Sequence, residues 1–420
     1  MILSYADRMS TTAVENLGAI FVDPAAYADP VAWHDAAQRI RHESPILKVV
    51  VEGYPEFWAI TTHADVMEVE RNPEVFTNAP YPTVTPSSHV EAATNVPVKT
   101  LIQMDGDQHK AHRNLVNDWF KPVSVKNLQG RIDTLARDSV DRMDAMNGRC
   151  DFANDVAVYF PLHVILAILG LPEDDYPRML TLTQELFGAE DPDIARLVED
   201  ESQFGVLLEF MNYFTSLTED RRAHPTGDLA SVIANAVIAG EPLPDMDTLG
   251  HYVIIATAGH DTTSSVIAGG LLALLDHPDE LALLQADPAL IHAATDELIR
   301  YVSPVKHFMR TCQQPFTVGG VAFEPGDHLL LSFASANRDE TVFTDASKLD
   351  VRRENASSQL AFGFGRHFCL GAHLARMEIR AIFRELLGRV DHIELAGEPT
   401  WIRANFVQGP KSVPVSYRLR

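Results

Sequence analysis

The chain has 420 residues, 46% of them hydrophobic and 22% charged, and its 34 basic and 58 acidic side chains leave a net charge of −24. This is material for a large apolar core, and a charge that repels nucleic acid and anionic lipid, which excludes those partners. The three cysteines, Cys150, Cys312 and Cys369, are odd in number and far apart, so no disulfide framework is implied and a reducing cytoplasm fits.

From the N-terminus, Met1 to Gly18 carries Asp7, Arg8 and Glu15 and lacks the apolar core of a signal peptide. Apolar residues at helical spacing predict helices over 30–43, 64–71, 108–119, 123–146, 160–169, 174–187, 199–222, 229–239 and 248–275, with a further one over 372–388. Strand-like runs cluster toward the two ends, at 46–51, 57–61, 316–318, 328–332 and 413–418. The segment 81–100 is proline-rich and without periodicity, a mobile loop of the kind that covers binding sites. Residues 253–275 have the length of a membrane span, but His260, Asp261 and the hydroxyls from Thr262 to Ser265 would sit at its centre. No linker, repeat or low-complexity tract divides the chain. The fold class is therefore mainly α with a smaller β-rich region, expected as one domain over residues 1–420.

Four groups of residues carry chemistry. Phe362 to Gly371 reads Phe-Gly-Phe-Gly-Arg-His-Phe-Cys-Leu-Gly, a glycine-rich approach to Cys369 just ahead of a helix. Helix N-termini favour the thiolate, the form that binds metal; Phe362 and Phe368 can shield it, and Gly363, Gly365 and Gly371 permit close approach. A flat, iron-bearing macrocycle is the natural guest. A buried apolar thiol is the alternative, as is a zinc site of His367, Cys369 and His373, although no second cysteine lies nearby. Within 248–275, the run Ala258-Gly259-His260-Asp261-Thr262-Thr263 is a poor helix sequence. There Gly259 lets a ligand approach, Thr262 can bridge a break in the hydrogen-bond ladder, and Asp261 is a proton source. Glu297 and Arg300 share a helix face and, with Arg353, can brace the cysteine loop. His109, Arg113, Arg310 and His367 form a cationic set able to bind two carboxylates.

Together these motifs, in this order, resemble those of the cytochrome P450 family, haem-thiolate monooxygenases, over essentially the whole chain. The Cys369 loop fits Phe-Gly-x-Gly-x-His/Arg-x-Cys-x-Gly, 258–263 fits the oxygen-binding helix, and Glu297 to Arg300 fits Glu-x-x-Arg; Leu349 stands where the family often has phenylalanine. Tyr54 to Ala59, Thr257 to Ser265, Phe308 to Arg310, and Asn405 to Val407 with Gly409 to Lys411 are similar to the bacterial α-terpineol hydroxylase branch.

The resemblance implies a triangular helical prism around a buried haem b, with Cys369 as proximal iron ligand. It also implies Asp261 and Thr262 as proton relay to the co-substrate O2, and His109, Arg113, Arg310 and His367 at the propionates. Ala258, Phe362, Gly363 and Gly371 would lie against the macrocycle. Ile254, Ala258, Thr262, Val305, Phe308, Phe406 and Val407 would line an apolar substrate pocket, and the substrate would be a terpenoid or an aromatic compound of similar size. With no nicotinamide or flavin fingerprint in the chain, the implied electron source is an iron-sulfur ferredoxin served by an NAD(P)H-dependent flavoprotein, docking on Lys110, Arg113 and Lys121, and the implied state is monomeric. The alternatives are a haem-thiolate isomerase, dehydratase or peroxygenase, and a non-enzymatic haem sensor.

Overall fold

The structure, a computed structural model, describes residues 13–95, 98–187, 191 and 202–420. Two of its large helices begin on a side-chain capping oxygen. Pro30–Glu43 (α1) starts on Asp29, whose carboxylate accepts from Ala32 N–H at 3.1 Å, with proline in the first turn. His63–Arg71 (α2) starts on Thr62 in the same way, at 3.3 Å. Gly106–Phe120 (α3), Gln129–Asp144 (α4), Tyr159–Leu169 (α5), Tyr176–Phe187 (α6) and Ser202–Ala223 (α7) follow. Asp245–Ala258 (α8), Asp261–Asp276 (α9), Ile291–Val302 (α10) and Ala372–Arg389 (α11) complete the large helices. The buried faces of α3 to α11 meet in one extensive core that runs from Val98 to Tyr417, while α1 and α2 pack into two smaller clusters with the strands. No described helix is long and apolar enough to cross a membrane.

The strands of the two larger sheets are β1 (Ile46–Val49), β2 (Phe57–Ile60), β3 (Phe76–Thr77), β4 (Arg149–Asp151), β5 (His307–Cys312), β6 (His328–Ser332), β7 (Val390–Leu395) and β8 (Pro414–Leu419). The main sheet has the order β1-β2-β6-β5-β3. The parallel pair β2·β6 sets Leu330 opposite Ala59, and the antiparallel pair β6·β5 sets Leu329 opposite Arg310. Covered on both faces, β6 buries Leu329, Leu330 and Leu331 completely. A second sheet, β7-β8-β4, ties the C-terminus to the middle of the chain.

Three expected helices are interrupted, each for a visible reason. The 123–146 helix divides because i→i−3 bonds tighten the chain at Asn127 and Leu128. The 229–239 helix stops at Ala234, where Ala239 (φ 54°) and Gly240 (φ 90°) turn the chain into a hairpin of Val237–Ile238 with Glu241–Pro242; positive φ at both central residues suits the two-residue hairpin turn. The 248–275 helix breaks at Gly259 and His260. Within 81–100, the described residues include a short helix at Val90–Thr94 rather than loop throughout, and the expected helix start at 199–201 lies outside the described residues.

Behind the cysteine loop, Glu297 and Arg300 are both fully buried and joined at 2.7 Å through two hydrogen bonds. Arg353 Nε donates to Glu297 at 3.0 Å. The triad is therefore formed with Leu349 buried beside it. Arg300 also donates to Asn337 O at 2.7 Å, and Asn337 Oδ1 accepts from Leu360 N–H at 2.7 Å. Leu360 O accepts from Gly363 N–H and Phe362 O from Cys369 N–H, both at 2.8 Å. A continuous path of hydrogen bonds thus runs from the ion triad to the cysteine.

Candidate active site

A cavity enclosing, with its mouth, about 1420 Å³ lies between α9 and the cysteine loop. Residues from α3, α5, α8, α9, α10, β5 and α11 meet there, which explains why no local stretch of sequence announces it. Its floor is Phe362, Gly363, Cys369, Leu370 and Gly371. Burial pushes the Cys369 thiol up, against the Gly371 and Ala372 N–H groups and the Arg113 and Arg376 guanidiniums, which favour the thiolate. Gly365 is held at φ 68°, and a Cβ on it would come within 2.6 Å of Glu70 O, so the loop closes onto α2 only with glycine there. The Phe362 and Phe368 rings lie 6.2 Å apart, Phe368 exposed, and Arg376 stacks on Phe362 at 4.5 Å. Among the described residues no three His, Cys, Asp or Glu side chains converge as metal ligands. The zinc alternative falls, and with Cys369 facing the cavity so does the purely structural thiol.

All four cationic residues expected at two carboxylates line this cavity. The His109 and His367 rings lie 4.2 Å apart, and His109 Nδ1 and His367 Nε2 are buried without a hydrogen-bond partner. Burial, aided by His367 and Arg113, lowers His109 to about 4. Arg113 donates to Phe368 O at 2.7 Å, while Arg310 is paired with Glu70 at 2.5 Å. Asp105 stands 3.6 Å from His367; burial opposes its charge, but His367 and the Asn78 and Ala79 N–H groups hold it below the usual carboxylate range. His109 Nδ1, buried without a partner, and His367 Nε2, with Asp105 3.6 Å away, stand beside two arginines and a cradled cysteine, a set that fits a macrocycle carrying an iron and two carboxylates.

Opposite the cysteine, α8 ends at Ala258 and α9 begins at Asp261. A Cβ on Gly259 would lie 2.9 Å from Ile165, so glycine lets the break pack against α5 without displacing that side chain. Thr262 Oγ1 donates to Ala258 O at 2.9 Å, as expected for a hydroxyl closing a gap in the ladder. Ala258 and Thr262 face the cavity. Asp261 directs Oδ1 to His260 at 3.1 Å, and its Oδ2 is buried without a partner.

The remaining walls are apolar: Leu101, Ile165, Ile254, Ile255, Val266, Ile299, Val305, Phe308 and Phe333. Ile254, Val305 and Phe308, expected at a substrate pocket, are among these lining residues. Phe406 and Val407 are not lining residues, a correction. Phe406 packs behind Phe308 at 5.2 Å, and Val407 bridges to Val305, so they shape the wall from behind. The described part of 81–100 adds nothing to the lining either; the neighbouring contributors are Asn78, Leu101 and Ile102.

Two residues escaped sequence reasoning. Glu70 holds the cation end together, bonding Arg310 and, at 3.3 Å, Phe364 N–H. Glu378, on α11, lines the cavity with both carboxyl oxygens buried and unpartnered, and burial raises it well above the usual carboxylate range. Only a carboxylate inside an otherwise apolar helix face signalled it.

The sequence pattern that defines the cytochrome P450 family matches residues 57–413. Cytochrome P450-terp of a Pseudomonas species is 39% identical, covering 97% of this chain and 98% of that protein. Linalool 8-monooxygenase of Pseudomonas putida is 32% identical, over 94% and 97%. The crystal structure of CYP108D1 from Novosphingobium aromaticivorans superposes with a TM-score of 0.89 at 39% identity, covering 96% and 98% of the two chains. Mycobacterium marinum CYP268A2, solved with pseudoionone, gives 0.83 at 33% identity, over 91% and 94%. With Cys369 cradled beneath one cavity and Thr262 above it, the chain belongs to the cytochrome P450 family and is a monooxygenase that works with haem iron and dioxygen.

Proposed function

We propose that the chain acts as one domain that hydroxylates a terpenoid or a hydrophobic molecule of similar size, with electrons from a ferredoxin reduced by an NAD(P)H-dependent flavoprotein. The observation that carries this reading is the wall of Ile254, Ile255, Val305 and Phe308 on the same cavity as Thr262 and Cys369: it binds by apolar burial and offers few polar anchors. The names of two relatives, Cytochrome P450-terp and linalool 8-monooxygenase, support the substrate class.

Haem, when bound, supplies the chemistry of splitting dioxygen and inserting one oxygen atom into a C–H bond. In this reading Cys369 would ligate the haem iron, and His109, Arg113, Arg310 and His367 would hold the propionates. Thr262 keeps its own hydrogen on Ala258 O, so its lone pairs are free to accept from a group in the cavity, and Asp261 supplies the proton. The apolar wall excludes water from that exchange. Lys110 and Lys121 are exposed and Arg113 is half-buried, and Arg380 and Arg384 line a groove on α11, the helix behind the cysteine. In an acidic chain this face is a suitable dock for an acidic ferredoxin.

Titration of the haem-loaded protein with a panel of terpenoids and arenes tests the substrate class. A low-to-high spin shift for terpenoids of matching size supports it, and shifts only with polar or long-chain compounds would refute it.

A further inference from the structure

Asn78 is 2% exposed and lines the cavity on the wall it shares with Leu101 and Ile102. Its backbone N–H donates to Asp105 Oδ1 at 3.0 Å, and its side-chain Nδ2 donates to Ile102 O at 2.9 Å. The amide cannot be turned over, because Oδ1 would then face a carbonyl oxygen, two acceptors with no hydrogen between them. Oδ1 is therefore the arm left over, and it is buried without a partner. A buried acceptor left unmet is costly, and the group that meets it must donate. A hydroxyl serves; a carboxylate, an ether or a ketone brings only further lone pairs, and the same holds for a propionate. Glu378, the other lining residue with unpartnered carbonyl or carboxyl oxygens among the described residues, stands on α11, the helix behind the cysteine.

We propose that Asn78 determines specificity in this cavity: Oδ1 accepts a hydrogen bond from a hydroxyl of the substrate, so that the favoured guest is a hydrophobic alcohol. This rests on the reading of the cavity as a terpenoid site. The apolar walls bind the hydrocarbon body by burial and limit its size, but they gain nothing from a hydroxyl. Asn78 supplies that distinction. A guest without a hydroxyl forgoes the bond and also leaves Oδ1 buried and unmet, so the site discriminates against it on both counts. Ile102 O and Asp105 hold the amide in the orientation that presents its acceptor.

The test uses the haem-loaded protein and reads affinity from the spin-state shift for three ligands: a monocyclic terpene alcohol, its methyl ether and the parent hydrocarbon. The ether is larger than the alcohol and the hydrocarbon smaller, so size alone cannot move both comparisons the same way. Asn78→Leu keeps a similar volume and removes the acceptor; Asn78→Ala replaces it should the first not take up haem. The affinity ratios of alcohol to ether and of alcohol to hydrocarbon should both fall about 10-fold from the native chain to the variant. Because each ratio is taken within one protein, a general loss of stability or of haem leaves it unchanged, and a merely structural Asn78 would not move it. Unchanged ratios overturn the proposal, as does a fall in the ether ratio alone, which reports steric room. In both cases the terpenoid reading stands; no spin shift with any of the three in the native chain overturns that reading and the proposal together.

Discussion

Replacing Glu297 by glutamine removes the single negative charge that faces two buried guanidiniums. Glu297 accepts from Arg300 Nη2 and Nε at 2.7 Å each, and from Arg353 Nε and Asp350 N–H at 3.0 Å each. The amide oxygen can still accept, but the amide hydrogens face donors, and Arg300 has no route to water. Removing one partner of a buried ion pair costs about 3–5 kcal/mol. The lower end applies here, about 3 kcal/mol, because Arg353 keeps its bonds to Thr344 O and Lys348 O. Against a native stability of about 5–15 kcal/mol, that is a large fraction, and with a urea slope of about 3 kcal/mol/M the unfolding midpoint falls by about 1 M. The hydrogen-bond path through Asn337 and Leu360 carries the damage to Cys369, so haem content should fall as well. Urea unfolding followed by circular dichroism, with haem quantified per chain, measures both. A midpoint shift worth less than about 0.5 kcal/mol at full haem occupancy would refute the bracing role.

Gly365→Ala should destabilise by about 1–2 kcal/mol from its left-handed backbone alone, and by more through the contact with Glu70 O, whereas Gly388→Ala, in open space on α11, should stabilise by about 0.5–1 kcal/mol; denaturant curves showing both neutral would contradict the packing described. Burial lowers His251 to about 4, aided by His112, and His307 to about 3. Their unfolded forms titrate near 6.5, so stability is present above that value and lost as pH falls through about 4, worth about 3 kcal/mol for His251; His251→Phe should flatten unfolding free energy between pH 6.5 and 4, and an unchanged slope would count against it. Glu378 has the opposite sign: with its folded value raised by burial, its unfolded form ionises first and stability falls as pH rises above about 4.5. Glu378→Gln should therefore be more stable than the native chain at pH 8, and a less stable variant would show that the carboxyl has a partner there.

The parts of the site that lie within one helix or loop were legible in the sequence, because spacing alone places them: Glu297 with Arg300, Ala258 to Thr262, and the glycines before Cys369. The cation set was also legible, once two carboxylates were assumed. What sequence did not show was what competes for those residues. Glu70, on a helix that reads as ordinary surface, takes Arg310, and Asp105 lies close to His367, because β3 and the start of α3 are brought to the cysteine loop by long-range packing. Phe406 and Val407 looked like lining for the opposite reason: apolar residues near a pocket in sequence can stand behind it in space. β5 was missed as a strand because it is central and mixes buried polar with apolar residues, which erases the alternation that marks a half-buried strand.

The central claim is that Cys369 is the thiolate ligand of haem iron in this cavity, and the absorption spectrum of the reduced, carbon monoxide-bound protein tests it most directly. The native chain should give the red-shifted Soret band of thiolate-ligated haem, and Cys369→Ala should lose that band. A native spectrum without the red shift, or a Cys369→Ala protein that keeps it, would contradict the assignment.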